Sequence, residues 1–249
     1  MRVWFGVAAV VAAFGVTIAA DTVPATGGNI ELTSMAHAHV QIEYGGKVIH
    51  IDPTSMGSLT NFKPADIIIV TDVHGDHMDP KAIDKVKKAS TQFVAPKALE
   101  GKFPGTTTII SNGETKTVDG VSITAVAAYN LTRGPKPGAL FHDKGRGNGY
   151  ILTLGGKRIY FSGDTECVPE IKALTNIDVA FMTMNLPYTM PPAESAECVK
   201  ALKPKVVYPY HFAQQDLAPA NKNQTDFVAA MKGTAGIEVK TMQFYPAPK

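Results

Sequence analysis

Four metal-ligating side chains crowd into six positions of the segment IIIVTDVHGDHMDP (residues 67–80): Asp72, His74, Asp76 and His77. Imidazole nitrogen and carboxylate oxygen are donors that zinc and other divalent cations accept. Crowded together with no cation between them, these groups would repel one another or leave polar atoms unsatisfied. A structural reading, with each histidine hydrogen-bonded in the core, suits a lone histidine better than this cluster. If the segment stays extended, alternation turns Asp72, His74 and Asp76 toward one side. His77 then faces a neighbouring position, so one loop could feed two adjacent metals. The chain has two cysteines, Cys167 and Cys198, too few for a four-cysteine zinc site. Any metal must therefore be held by histidine and carboxylate.

These residues need a frame. The apolar run at residues 67–70 reads as a buried strand, and Asp79-Pro80 is an N-cap and first-turn pair for a helix whose apolar face carries Ile83 and Val86. A loop at the carboxyl end of a strand is where α/β sheets place their sites. Residues 40–51, with Gly45-Gly46 in the middle, read as a hairpin, because paired glycines supply the positive φ of a tight turn. Residues 150–161 repeat that plan around Gly155-Gly156, and a third hairpin turns at Asp119-Gly120. Residues 179–184 and 206–208 read as further buried strands. Helices are predicted after Pro191-Pro192, burying Ala196, Val199 and Leu202, and over roughly residues 225–231. Strands in both halves with helices between them predict an α/β sandwich of two sheets with helices outside.

Apolar residues make up 45% of the chain and charged residues 18%, enough to build a core and too ordered a composition for a disordered chain. The formal charge of +2 is small and the basic residues are scattered, so no nucleic-acid footprint is predicted. Arg2 precedes an apolar run over residues 3–20 that ends in Ala19 and Ala20, the layout of a secretory signal peptide. The alternative is an anchor that stays attached. The expected division is residues 1–20 as signal peptide and residues 21–249 as one domain, with residues 22–28 a flexible leader. The mature protein is expected to be secreted or periplasmic, without stable membrane association; its oligomeric state is left open. Export permits a disulfide between Cys167 and Cys198, and two buried thiols fit the sequence equally well.

The segment around residue 74 resembles the HxHxDH motif of the metallo-β-lactamase superfamily, with Asp72 in place of the first histidine. The likeness extends over almost all of residues 21–249. HAHVQIEYGGKVIHIDP resembles that fold's first hairpin. GNGYILTLGGKRIYFSGDTE resembles the strand pair that delivers a bridging aspartate, here Asp164. VVYPYHF resembles the late strand that ends in the last histidine ligand, here His211. Its flavour is that of the branch near the L-ascorbate-6-phosphate lactonases. The resemblance implies an α/β fold of αββα type, two mixed sheets with helices on the outer faces. It implies one metal site from Asp76, His77 and His211, with Asp164 shared between metals. The second site is altered: His74 remains, Asp72 replaces one histidine, and Asn130 stands where another belongs.

His142, the one histidine between the motif and Asp164, is the candidate substitute; Asn130 is a weak ligand or a substrate contact. A carboxylate binds zinc at about 2.0–2.2 Å much as imidazole does, so Asp72 can still ligate. The extra negative charge makes manganese or iron more competitive. The expected cofactor is a divalent metal, one or two zinc ions, with manganese or iron as alternatives. By the same likeness His37 could border the metal pocket. His39 and His50 read as structural. Asp52 is either a turn residue or the orienting partner of a ligand histidine. Asn185 and Tyr188 either line the substrate pocket or belong to an ordinary loop.

The chemistry implied is metal-assisted hydrolysis of a small-molecule ester, lactone, amide or phosphodiester. Asp76 is the candidate catalytic residue, as ligand and as the group that orients the nucleophile or passes its proton on. The alternative is a metal-binding protein on the same fold that hydrolyses nothing. An iron oxygenase is a third and weaker reading, because the missing histidines belong to the site it would use.

Overall fold

The computed structural model describes residues 20–57, 62–212 and 220–245. Its first sheet runs in chain order through β1 (Ala20–Ala25), β2 (Gly28–Ala36), β3 (His39–Tyr44), β4 (Lys47–Ile51), β5 (Ala65–Ile69), β6 (Lys87–Ala95) and β7 (Thr107–Ile109). The first four pair antiparallel, and β4 to β7 pair in parallel. The second sheet holds β8 (Thr115–Val118), β9 (Val121–Ala128), β10 (Gly147–Leu154), β11 (Lys157–Phe161), β12 (Val179–Thr183), β13 (Val206–Tyr210) and β14 (Glu238–Val239). It repeats the plan: β8 to β11 antiparallel, β11 to β14 parallel.

The apolar run in β5 shows why the layers form. Ile67 and Ile69 join the large core that also holds Tyr150, Phe161 and Phe181 of the second sheet. Ile68 points the other way, into a smaller cluster with Ile83 and Val86 of helix α1 (Pro80–Val86). A strand covered on both faces needs no polar alternation, and none is present. Helix α1 starts as expected: Pro80 opens it, and the Asp79 carboxylate accepts from the amides of Lys81 and Ala82. Helix α2 (Pro169–Lys172) packs on β9, while α3 (Pro192–Leu202) packs on β12 and on α4 (Ala220–Met231). The architecture is the expected αββα sandwich of two mixed sheets.

The expected hairpins form. At the turn between β10 and β11, Gly155 and Gly156 have φ of 51° and 77°, and a Cβ on Gly155 would lie 2.6 Å from the Thr26 carbonyl oxygen. Two expectations need correction. Residues 22–28 are not a loose leader: residues 22–25 lie in β1, where Val23 pairs with Ile30, Gly28 opens β2, and the neighbouring Asp21 carboxylate accepts from Lys240 Nζ at 2.7 Å. The alternation of Val23 and Ala25 was too short to read as a strand until a partner edge was present. Each cysteine is expected early in a helix that follows a strand or loop; Cys167 instead precedes α2, while Cys198 lies in α3, and the two are bridged with Cα atoms 5.5 Å apart. The expected signal segment, but for Ala20, lies outside the described residues. Helix α4 begins five residues earlier than the predicted start, at Ala220.

The parallel strands bring their carboxyl ends to one edge of the sandwich. Asp52 follows β4, Asp72 follows β5, Asp164 follows β11, Asn185 follows β12 and His211 follows β13. That edge carries the chemistry.

Candidate metal centre

His37 sits in the β2–β3 turn at φ 55°, and His211 just past β13 at φ 48°. Their backbones are tied together, since the His211 amide donates to the His37 carbonyl at 3.2 Å. Their rings lie 4.0 Å apart, and His77 stacks on His211 at 4.9 Å. Asp76 and Asp164 face these three rings. Asp76 Oδ2 is 3.0 Å from His37 Nε2, 3.3 Å from His211 Nε2 and 3.7 Å from His77 Nε2. Asp164 Oδ2 is 3.4 Å from His77 Nε2, and its Oδ1 is 3.6 Å from His211 Nε2.

What lies behind His77 fixes the direction of its ring. Asp52, fully buried at φ 46°, takes His77 Nδ1–H at 2.8 Å and the amide and hydroxyl of Thr71 at 2.7 and 2.6 Å. His77 Nε2 is thereby turned toward Asp76 and Asp164. His77 Nε2, His211 Nε2 and Asp164 Oδ1 are buried and make no hydrogen bond. Orphaned groups of this kind cost about 1–3 kcal/mol each. These residues belong to two triads that share His211, namely His37, Asp76 and His211, and His77, Asp164 and His211, and such imidazole and carboxylate sets fit a divalent cation.

A second group lies beside the first: Asp72, His74 and His142. His142 Nε2 is 3.1 Å from Asp164 Oδ2 but makes no hydrogen bond. Behind it Asn130 Oδ1 accepts from His142 Nδ1, while Asn130 Nδ2 donates to the Tyr188 carbonyl and to Glu166. Asn130 is buried, and through these bonds it holds His142 from behind. His74 Nδ1 is 2.9 Å from Asp72 Oδ2. Asp72 is also gripped by Arg146, and the start of β10 crowds it: a Cβ on Gly147 would lie 3.0 Å from Asp72 Oδ1.

The charges follow from this packing. Burial opposes ionisation of Asp76, but His77, His211 and His37 outweigh it and hold the carboxyl far below its ordinary range. Asp164 is likewise lowered, against burial, by His211, His77 and His142. His77 is raised although burial resists it, because Asp164, Asp52 and Asp76 surround it. Burial, with His211 adding to it, takes His37 down to about 4 against the pull of Asp76. Asp72 is held at about 2: burial resists, and His74, His77 and Arg146 prevail.

The loop at residues 72–77 therefore feeds two clusters as expected, but it is not extended, since the amides of His77 and Met78 turn back to the His74 carbonyl. Asp76 leaves the side of Asp72 and His74 and joins His37 and His211. His37 sits inside the first cluster rather than at its border. Asp52 orients a histidine. His39 and His50 pair with each other at 2.7 Å in the core, and His50 Nε2 donates to the Lys63 carbonyl. Tyr188 packs edge-on against Phe141, and Asn185 is buried. Sequence reasoning missed Arg146, Thr71 and Tyr245, whose hydroxyl is 2.8 Å from His37 Nδ1. A basic residue between two glycines and a lone late tyrosine carry no signal by themselves.

Comparison with known proteins agrees with this geometry. The Beta-lactamase superfamily domain matches residues 31–211. A UPF0173 metal-dependent hydrolase of Pyrococcus abyssi is 33% identical over 74% of this chain and 84% of its own length. Its counterpart in Pyrococcus furiosus is 35% identical with the same coverage. A crystal structure of a Parabacteroides distasonis protein assigned to the metal-dependent hydrolases superposes with a TM-score of 0.79 at 36% identity, over 91% of this chain and 99% of that one. The chain belongs to the metallo-β-lactamase superfamily and, within it, to the UPF0173 metal-dependent hydrolases.

Proposed function

We propose that the protein hydrolyses a small-molecule ester, lactone, amide or phosphodiester with water activated at the cluster of His37, Asp76, His77, Asp164 and His211. The observation that carries the reading is the set of buried, hydrogen-bond-free donors His77 Nε2, His211 Nε2 and Asp164 Oδ1 beside Asp76. A divalent cation held there would lower the pKa of a bound water from 15.7 toward ~7 and polarise the oxygen that gains charge. Zinc is the expected ion, with manganese and iron compatible with the same nitrogen and oxygen donors. The protein residues supply the rest. Asp52 and Thr71 hold the His77 ring in one tautomer. Asp76, whose side chain is 19% exposed and is thus the most open of the set, would help hold the cation and orient the attacking water. No serine or cysteine nucleophile is required.

The site of action follows the N-terminal sequence: cleavage near Asp21, then function outside the cytoplasm, with no nucleic-acid partner. Strand β1 begins at Ala20, so such a cut leaves the contact between Asp21 and Lys240 available to the mature chain. Mass spectrometry of native protein tests this; an intact Met1 in a membrane fraction overturns it. The competing reading, a metal-binding protein that hydrolyses nothing, draws support from Asp72, whose carboxylate is occupied by Arg146. A panel of lactones, esters and phosphodiesters, run on metal-loaded and chelated protein, separates the two. Turnover that chelation abolishes and Asp76→Ala removes supports hydrolysis, and silence across the panel supports the rival.

A further inference from the structure

The second cluster differs from the first in one respect: it already contains a fixed positive charge. Arg146 Nε donates to Asp72 Oδ1 at 3.1 Å and Nη2 donates to Asp72 Oδ2 at 3.0 Å, a fork across both carboxylate oxygens. Nη1 is pinned to the Phe141 carbonyl at 2.7 Å, and the backbone turns just before it, with the Arg146 amide donating to Asp143. Asp72 has little freedom to leave. Its side chain is 3% exposed, His74 reaches Oδ2 through both its amide and Nδ1, and Gly147 closes the far side. Four donors therefore address an acceptor with about four lone-pair sites. In the first cluster, by contrast, no Lys or Arg among the described residues pairs with Asp76 or Asp164, and His77 Nε2 and His211 Nε2 beside them make no hydrogen bond.

We propose that this protein holds a single tightly bound cation, at the first cluster, and that the Arg146 guanidinium takes the place of a second one. Guanidinium does not give up its proton in proteins, so the charge is permanent. A divalent cation seated between Asp72, His74 and His142 would meet that charge at short range, and Asp72 would have to break its fork to ligate it. Arg146 is 22% exposed, and Nη1 and Nη2 each have one hydrogen not committed to Asp72 or Phe141. Those hydrogens are free to donate to an anionic substrate oxygen, which guanidinium suits as a charged donor. The inference rests on the metal-dependent reading of the first cluster, and the experiment distinguishes their failures.

Stripped protein is loaded with zinc or manganese, freed of unbound ion by gel filtration, and its metal counted by plasma mass spectrometry. The manganese form is also examined by electron paramagnetic resonance. Wild type is expected to retain one equivalent and to show an isolated manganese signal. Arg146→Met, checked for fold by circular dichroism, is expected to take up a second equivalent at least tenfold more tightly than wild type does, with an exchange-coupled manganese pair. Two retained equivalents or a coupled pair in wild type would overturn the proposal while leaving the metal-dependent function intact; this count needs no variant. An unchanged second-site affinity in folded Arg146→Met would also overturn it. No retained metal in wild type would overturn both readings.

Discussion

Removing the bridge between Cys167 and Cys198 gives a loss of stability whose size follows from the chain. The two cysteines are 31 residues apart, and both are buried. With a loop of that length the chain-entropy relation gives about −12 cal/mol/K for the unfolded chain, or about 3.7 kcal/mol at 25 °C. In a protein of this size each kcal/mol moves the melting temperature by about 2–4 °C, so the expected drop is about 7–15 °C. The double replacement should be Cys167→Ala with Cys198→Ala, because serine at these buried positions would add an unsatisfied hydroxyl to the cost. Melting followed by circular dichroism, with and without reductant, measures the effect, and a thiol count in denaturant checks the bridge. Two reactive thiols in unreduced protein would refute the bridge. A shift under ~2 °C after complete reduction would refute the entropic reasoning.

Three further outcomes follow from particular contacts. Asp52→Ala strands His77 Nδ1–H and both donors of Thr71, so metal affinity measured by chelator competition should fall about 10–100-fold, with Asp52→Asn milder because asparagine tolerates the positive φ. Asn130→Ala should leave the tight metal equivalent in place, since Asn130 supports His142 and touches no member of the first cluster directly; loss of that equivalent by elemental analysis would contradict the assignment. Asp79→Ala removes the cap of α1 and should cost about 1–2 kcal/mol in urea unfolding at neutral pH. Against burial, hydrogen bonds from Ser55 and from the amides of Ala82 and Lys81 lower the Asp79 pKa. The aspartate contribution is therefore present above the ordinary carboxyl range and lost as pH falls through the lowered folded value. The gap between wild type and variant should close in acid, and a gap that widens there contradicts the sign.

The legible parts of this molecule were those whose chemistry is local. The glycine pairs at 45–46 and 155–156 named their hairpins because few other residues take the required turn, and Asp79-Pro80 named a helix start. The dense loop at residues 72–77 announced a metal site within a single segment. Strand β1 was missed because its residues gain an identity only from pairing with β2. Contacts made across long separations were equally silent: Arg146 meets Asp72 across 74 residues, and His37 meets Tyr245 across 208. Nothing in HDKGRGNGY indicates that the arginine will turn back on the metal loop. That contact depends on β10 starting against the end of β5, which the two sheets impose together, with the Asn148 amide donating to the Thr71 carbonyl at 2.9 Å.

The central claim is that buried nitrogen and oxygen donors from both halves of the sandwich hold a catalytic cation. His211 comes from the second sheet and has no hydrogen bond at either ring nitrogen, so its imidazole is not needed to satisfy the fold's own polar groups. The most direct test is the metal retained by His211→Ala and wild type after identical loading and gel filtration, read with circular dichroism to show that both are folded. Loss of the tight equivalent in a folded His211→Ala is the predicted result. Retention of wild-type stoichiometry and affinity would contradict the account.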